Sequence, residues 1–141
     1  MNQFEDTLCT PLPLALRMKE LKFPQPELET GQFWWNHEDR LMMIAPAIEH
    51  PFLILFIDRK PAPENRGIPP IWTFAPTAME IMNAEDNLVV RRHLDSFVAG
   101  SLIHGNIFIA TIPPPGVEYK TGHEAAANEW ILRHSPKSSR K

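Results

Sequence analysis

The side chains of this sequence that could carry out acid–base or metal chemistry are its six histidines and the carboxylates near them. In the segment His37-Glu38-Asp39 an imidazole stands next to two carboxylates, and these groups bind metal ions and transfer protons. No pair of histidines has the spacing of a known metal motif, so scattered exposed histidines are the favoured explanation. The sequence therefore predicts no catalytic, metal-binding or cofactor-binding residues.

An alternative keeps the same segment as a site. In it the protein is a small metal-dependent or acid–base hydrolase that uses His37, Glu38 and Asp39 with a distant histidine.

Residues 123–124 match the first two positions of the zinc-protease pattern His-Glu-x-x-His, in which two histidines one helical turn apart hold the metal. The second histidine position is Ala127, so this pattern fails at a ligand.

Composition excludes several other classes of function. A single cysteine, Cys9, rules out an internal disulfide and a cysteine-based zinc site. The net charge of −3 and the pI of about 6.1 give no electrostatic footprint for nucleic acid. No apolar run approaches the roughly 20 residues that span a bilayer, and the first residues do not form a secretory signal. We therefore expect a cytoplasmic protein that binds neither nucleic acid nor a membrane and uses no cofactor.

Aromatic residues are the better candidates for a functional surface, and five of them form the candidate partner surface: Phe33, Trp34, Trp35, Trp72 and Phe74. Adjacent residues of a strand point to opposite faces, so Trp34 and Trp35 cannot both face one core. The favoured interpretation buries both indoles, under helices on the two sides of the sheet. The alternative leaves one indole exposed beside Phe33 or Phe74, where it would mark a partner surface.

Residues 121–135 predict an amphipathic helix that lies on a sheet. Thr121 and Glu124 fit a capping box, in which the hydroxyl accepts from the amide of Glu124 and the carboxylate accepts from the amide of Thr121. With 3.6 residues per turn, one face collects small or apolar side chains around a large anchor, Trp130. That inward face comprises Ala126, Ala127, Trp130, Ile131 and His134, and the outward face comprises Glu124, Asn128, Glu129 and Arg133.

Apolar runs separated by prolines predict the remaining elements. The chain has 15 prolines and six glycines, and the prolines fall between the runs, where they end elements and stiffen loops. Thr10 is the candidate N-cap of a first helix that ends by Phe23. A second helix opens in residues 75–82. Strands are expected at 32–35, 41–44, 52–57, 71–74, 88–93, 97–103 and 107–112, with 52–57 as a central strand.

These elements predict an α+β fold. We expect an antiparallel sheet of about five to seven strands with two to three helices, and the C-terminal helix packed on the sheet. The chain length suggests a single domain over residues 1–141. Residues 1–9 and 136–141 are expected to be flexible termini, and residues 58–70 a long proline-rich loop.

Several phrases of the sequence, in their order along the chain, resemble small proteins of unknown function encoded in bacterial phages and mobile elements. The phrases are residues 15–23, Trp34-Trp35, residues 75–82, the hairpin at 89–99 and residues 124–131. The resemblance covers most of the chain outside 45–70. It implies no catalytic residues, because that family offers none to transfer.

The lack of catalytic spacing and the surplus of aromatic residues lead to the functional prediction. We expect a non-enzymatic protein-interaction module, of phage or mobile-element origin, that binds a protein partner or itself.

Overall fold

The computed structural model describes residues 7–36, 38–48, 53–58, 60 and 72–136. This part of the chain forms three helices and seven strands: α1 (Leu12–Glu20), β1 (Phe33–Trp35), β2 (Leu41–Ala45), β3 (Leu53–Phe56), β4 (Thr73–Phe74), α2 (Ala78–Ala84), β5 (Val89–His93), β6 (Ser96–Ile103), β7 (Ile107–Ala110) and α3 (Gly122–His134). The predicted α+β class is confirmed. Most of the predicted loop at 58–70 and of the two predicted flexible termini lies outside the described residues.

The strands form two antiparallel sheets, not the single sheet that the sequence predicted. The first has four strands in the order β3-β2-β1-β4, and the second has three in the order β5-β6-β7. After β4 the chain forms α2, and the next strand, β5, belongs to the second sheet. A capping box fixes the start of α2: the Thr77 hydroxyl accepts from the amide of Glu80, and the Glu80 carboxylate accepts from the amide of Thr77.

β3 is an edge strand, although its unbroken apolar run predicted a central one. The centre of the first sheet is the predicted hairpin of β1 and β2, in which Trp34 pairs with Met42. Leu53, at the start of β3, is 44% exposed. An apolar run does not encode how many neighbouring strands a strand has. One aromatic side chain of β3 is covered by a cation instead, since the Arg40 guanidinium lies 3.6 Å from the centre of the Phe56 ring.

The first helix begins after Pro11, and Thr10 is not its N-cap. The Thr10 hydroxyl instead donates to the Pro76 carbonyl at 2.6 Å and ties the segment before α1 to the start of α2. At the other end Lys22 adopts a left-handed conformation with φ of 76°, and the amide of Phe23 donates to the Met18 carbonyl at 2.9 Å. This is a Schellman ending with lysine where glycine is usual.

The C-terminal helix carries the anchor that its pattern predicted. Trp130 is 3% exposed and meets the Phe23 ring edge-on, with ring centres 5.0 Å apart. The Thr121 hydroxyl accepts from the amide of Glu124 at 3.1 Å, which is half of the predicted capping box. The other half is displaced by one residue, because the Glu124 carboxylate accepts from the amide of Lys120.

The core has two clusters. Trp34 and Trp130 belong to the larger cluster, and Trp35 belongs to the smaller one with Cys9, Leu41 and Ala15 of α1. Adjacent residues of β1 therefore serve opposite faces, as the strand pleat requires. Residue Cys9 lies in the predicted flexible N-terminus and is nevertheless fully buried.

Candidate functional site

The aromatic residues of the candidate partner surface lie in the core. Trp34, Trp35, Trp72 and Phe74 are buried, and Phe33 is half-buried against the smaller cluster. The indole nitrogens are also satisfied, since that of Trp34 donates to Gln32 and that of Trp35 to the Thr10 carbonyl. The interpretation that buries both tryptophans is confirmed, and these side chains do not form a surface for a partner.

The residues of the alternative hydrolase site are not gathered by the described structure. Glu38 and Asp39 are exposed in the turn between β1 and β2, and His37 lies outside the described residues. Within residues 7–36, 38–48, 53–58, 60 and 72–136, no three side chains of histidine, cysteine, aspartate or glutamate are placed to hold a metal ion. The hydrolase alternative therefore gains no support from the described geometry.

His123 joins two segments of the fold through hydrogen bonds, whereas the sequence predicted an exposed histidine. The amide of Ala78, the first residue of α2, donates to its Nδ1 at 2.8 Å. Its Nε2 lies 3.1 Å from the Thr7 carbonyl, so Nε2 carries the hydrogen and the ring is neutral. Burial lowers the pKa of His123 below its usual value, although the Thr7 contact opposes this.

The side of α3 that was predicted to face outward holds a partly buried ion-pair network instead. Glu129 is only 6% exposed, and the Arg133 Nε donates to its Oε2 at 2.8 Å. The guanidinium also reaches Glu85 at 3.4 Å, at the end of α2. Its remaining hydrogens go to the carbonyls of Asp86, Asn87 and Gly100 and to the Ser101 hydroxyl.

This network joins α3 to the end of α2 and to the second sheet. The prediction for Glu129 and Arg133 was wrong because the turn before β5 and the strand β6 approach the helix from its polar side. The i,i+4 spacing of the two residues was a signal for the ion pair itself, but spacing does not report burial. His134 extends the network, since its Nε2 lies 2.9 Å from Glu85 and its ring stacks on Trp130.

A cavity of about 330 Å³ lies between α3 and the segment that follows β7. Its walls are mostly apolar, and they comprise Ala99, Thr111, Ile112, Pro113, Pro114, Tyr119, Ala125, Asn128, Glu129, Ile131, Leu132 and Ser135. The second carboxylate oxygen of Glu129, Oε1, is buried and has no hydrogen-bond partner among the described residues. Burial, with the charges of Glu124 and Glu129, raises the pKa of the Tyr119 phenol.

The outer edge of β7 is the second notable feature of this region. β7 is the last strand of its sheet, and no strand of the described chain pairs with that edge. Its sequence, Ile-Phe-Ile-Ala, contains neither a charge nor a proline to discourage pairing. Ile107 and Ile109 are 50% and 48% exposed, and Ile103 is exposed beside them.

The hydrogen-bond pattern shows which backbone groups this edge offers. The amide of Thr111 donates to the Ala99 carbonyl, so odd-numbered residues of β7 turn their backbone groups toward β6. By alternation, Phe108 and Ala110 turn theirs outward. The Phe108 ring lies on the face away from Ile107 and Ile109, and there the Arg91 guanidinium sits 4.8 Å from its centre.

No protein-family model, no curated protein and no solved structure matches this chain. The resemblance to phage and mobile-element proteins therefore stays a prediction. Across the described segments, every helix is too short or too polar to traverse a lipid bilayer.

Proposed function

We propose that the protein is an interaction module that associates with a second copy of itself through the outer edge of β7. The observation that carries this proposal is an edge strand that is apolar, uncharged and open. Edge strands of soluble proteins are usually blunted by lysine, proline, a bulge or a covering element, since an open edge recruits another strand. An origin in phages or mobile elements remains part of the proposal and rests on the sequence phrases alone.

Only certain registers of two antiparallel β7 strands satisfy both the pleat and the hydrogen bonds. A twofold axis perpendicular to the sheet keeps the α3 side of both copies on one face, so paired residue numbers must have an even sum. The outward backbone groups belong to even-numbered residues. Pairing Phe108 with Phe108 of the second copy meets both conditions, and the two amides and carbonyls exchange bonds.

The side chains that meet in this register are complementary. Ile107 lies opposite Ile109 of the second copy, so four isoleucines form one cross-strand cluster on the α3 side. Ile112, which follows β7 closely in sequence, is also highly exposed. The result is a continuous six-stranded sheet across two copies.

The self-association is tested by sedimentation of the wild type and of two lysine variants. We expect the wild type to shift from monomer to dimer between about 1 µM and about 500 µM, the range of a modest interface. Ile109→Lys places a charge in the cross-strand cluster and should leave a monomer. Leu94→Lys makes the same kind of change at a turn residue that is 81% exposed, and should dimerise like the wild type. A wild type that stays monomeric throughout, or an I109K variant that still dimerises, overturns the proposal.

The register is tested by cross-linking. In the proposed pairing the Cα atoms of the two Phe108 residues lie about 5.5 Å apart, within the range that a disulfide spans. Phe108→Cys should therefore form a disulfide dimer under mild oxidation. Ala110→Cys lies on the same face but faces residue 106 of the second copy, so it should not cross-link. The natural thiol of Cys9 is fully buried and does not compete. If both cysteine variants cross-link equally, the proposed register is wrong. It is also wrong if the protein dimerises but neither variant cross-links.

A further inference from the structure

The start of α3 is hydrogen-bonded to two other parts of the fold through one side chain. The His123 Nδ1 accepts from the amide of Ala78 at 2.8 Å, and the Nε2 donates to the Thr7 carbonyl across 3.1 Å. A backbone amide can only donate, so this pair of bonds exists only with a neutral imidazole. His123 therefore joins the starts of α2 and α3 to the N-terminal segment, which here means residues 7–9.

The N-terminal segment covers part of the smaller core cluster. Cys9 is fully buried in that cluster, and Leu8 packs against it. The residue that follows the segment is anchored independently, because the amide and the hydroxyl of Thr10 both donate to the Pro76 carbonyl, at 2.9 Å and 2.6 Å. Residues 7–9 can therefore move away from the core while the chain stays attached at Thr10.

Protonation of His123 is incompatible with its contact to α2. The added hydrogen on Nδ1 would point at the amide hydrogen of Ala78, so two donors would face each other and the ring would have to leave. The new charge would also lie at the positive ends of the dipoles of α2 and α3. When the ring leaves, the Thr7 carbonyl loses the bond that His123 supplies.

Two carboxylates lie in the first turns of the helices that meet at His123. In α2 the Glu80 carboxylate accepts from the amide of Thr77, and in α3 the Glu124 carboxylate accepts from the amide of Lys120. Both carboxylates are thus engaged at backbone amides beside the starts of their own helices.

The other neighbours of this site carry no charge. From the second sheet, Val90 and Phe97 lie beside Gly122, and residues 7–10 have no charged side chain. Burial lowers the pKa of His123, and the bond to the carbonyl of the N-terminal segment opposes this shift without cancelling it. The closed arrangement therefore favours the neutral ring.

We propose that His123 is an acid-sensitive attachment point for the N-terminal segment: the neutral ring holds residues 7–9 on the core, and the protonated ring lets them open about Thr10. Opening exposes Cys9 and the part of the smaller cluster that Leu8 covers, while the helices and sheets stay folded. This behaviour is independent of strand pairing at β7.

The size of the effect follows from linkage between protonation and opening. In the open state His123 has an ordinary histidine pKa of about 6.5, whereas the closed state favours the neutral ring. The opening equilibrium is therefore constant at higher pH and rises as the pH falls below about 6.5. Between pH about 7.5 and about 5.5 the rise is up to about tenfold.

Reaction of Cys9 with 4,4′-dithiodipyridine tests the proposal, because the chain has a single cysteine and the released thiopyridone is followed by its absorbance. The rate for the folded protein is divided by the rate for the urea-unfolded protein at the same pH, which removes the pH dependence of the thiol itself. We expect this ratio to rise by about three- to tenfold from pH about 7.5 to about 5.5. A ratio that stays constant overturns the proposal. At about 1 µM protein the proposed dimer is dissociated, so the outcome does not depend on it.

The urea dependence of the same ratio shows how much of the chain opens. Opening of residues 7–9 exposes little surface, so the logarithm of the ratio should rise with urea far less steeply than in global unfolding. If the two slopes are equal at the lower pH, Cys9 is reached by global unfolding and the proposal is overturned.

A pair of variants assigns the pH dependence to one histidine. His123→Gln places a polar side chain that does not titrate at the site, so its reactivity ratio should be the same at both pH values. The control His93→Gln removes an exposed histidine of β5 and should keep the rise of the wild type. If H123Q keeps the full rise, or H93Q loses it, the assignment to His123 is wrong. If H123Q does not fold, the rise and the urea slope of the wild type, with H93Q as the control, still decide.

Discussion

Replacing Arg133 by methionine removes a guanidinium with six hydrogen-bond partners while it keeps most of the apolar stem. Glu129, at 6% exposure, would then hold its charge in a buried site without a cation. Removing one partner of a buried pair typically costs about 3–5 kcal/mol. The guanidinium and the Glu85 carboxylate keep some contact with water, so we expect the lower part of that range, about 3 kcal/mol.

The assay is urea unfolding followed by tryptophan fluorescence, with the free energy of unfolding extrapolated to water. Arg17→Met is the matched control, because Arg17 pairs with Glu20 at 3.0 Å on the exposed face of α1. It should cost less than about 0.5 kcal/mol. In a double-mutant cycle, Arg133→Met with Glu129→Gln should lose less than the sum of the single losses by more than about 1 kcal/mol. If R133M lowers the free energy of unfolding as little as R17M does, the reasoning is refuted. If the losses of the two single variants add up in the double variant, Arg133 and Glu129 are not energetically coupled.

Three further predictions concern backbone conformation and protonation. Lys22→Gly should raise the free energy of unfolding by roughly 0.5–1 kcal/mol in urea, since the strain of a left-handed lysine outweighs the entropy of an added glycine. Gly100→Ala should lower it by more than about 2 kcal/mol, because the new Cβ would overlap the backbone of β7, whereas Gly122→Ala, with only ordinary contacts, should change it little. His123 is neutral and its pKa is lowered in the folded state. Its contribution to the free energy of unfolding is therefore complete above pH about 6.5 and is lost as the pH falls through the lowered pKa. The urea midpoint of the wild type should therefore fall more steeply below pH 6.5 than that of His123→Gln, and parallel curves for the two proteins would contradict this.

Local patterns predicted the elements because each pattern has a local physical cause. The Thr121 hydroxyl caps α3, and Trp130 is buried, since capping and helical periodicity depend on residues within one or two turns. The alternating hairpin of β1 and β2 formed where aromatic and apolar runs flank a polar turn, which the Asn36 side chain closes by accepting from the amides of Glu38 and Arg40.

The Glu129–Arg133 ion pair, the edge strands and the contacts of His123 depend on distant parts of the chain, and the sequence did not predict them. Periodicity assigned Glu129 and Arg133 to solvent because it contains nothing about the strand that approaches from the polar side. For the same reason the apolar run at 52–57 did not indicate that β3 is an edge strand. The apolar run at 107–112 likewise did not indicate that one edge of β7 is unpaired among the described strands. His123 escaped notice because its partners, Ala78 and Thr7, are far away in sequence.

The position of α3 has a consequence for synthesis of the protein. α3 packs against α1 as well as against the second sheet, so the earliest described helix finds its partner more than a hundred residues later. While the ribosome is still translating residues before 122, α3 is not yet present to cover the inner faces of α1 and of the first sheet. These apolar faces are then accessible to chaperones. The packing of α3 on α1 can therefore be completed only after residues 122–134 have left the exit tunnel.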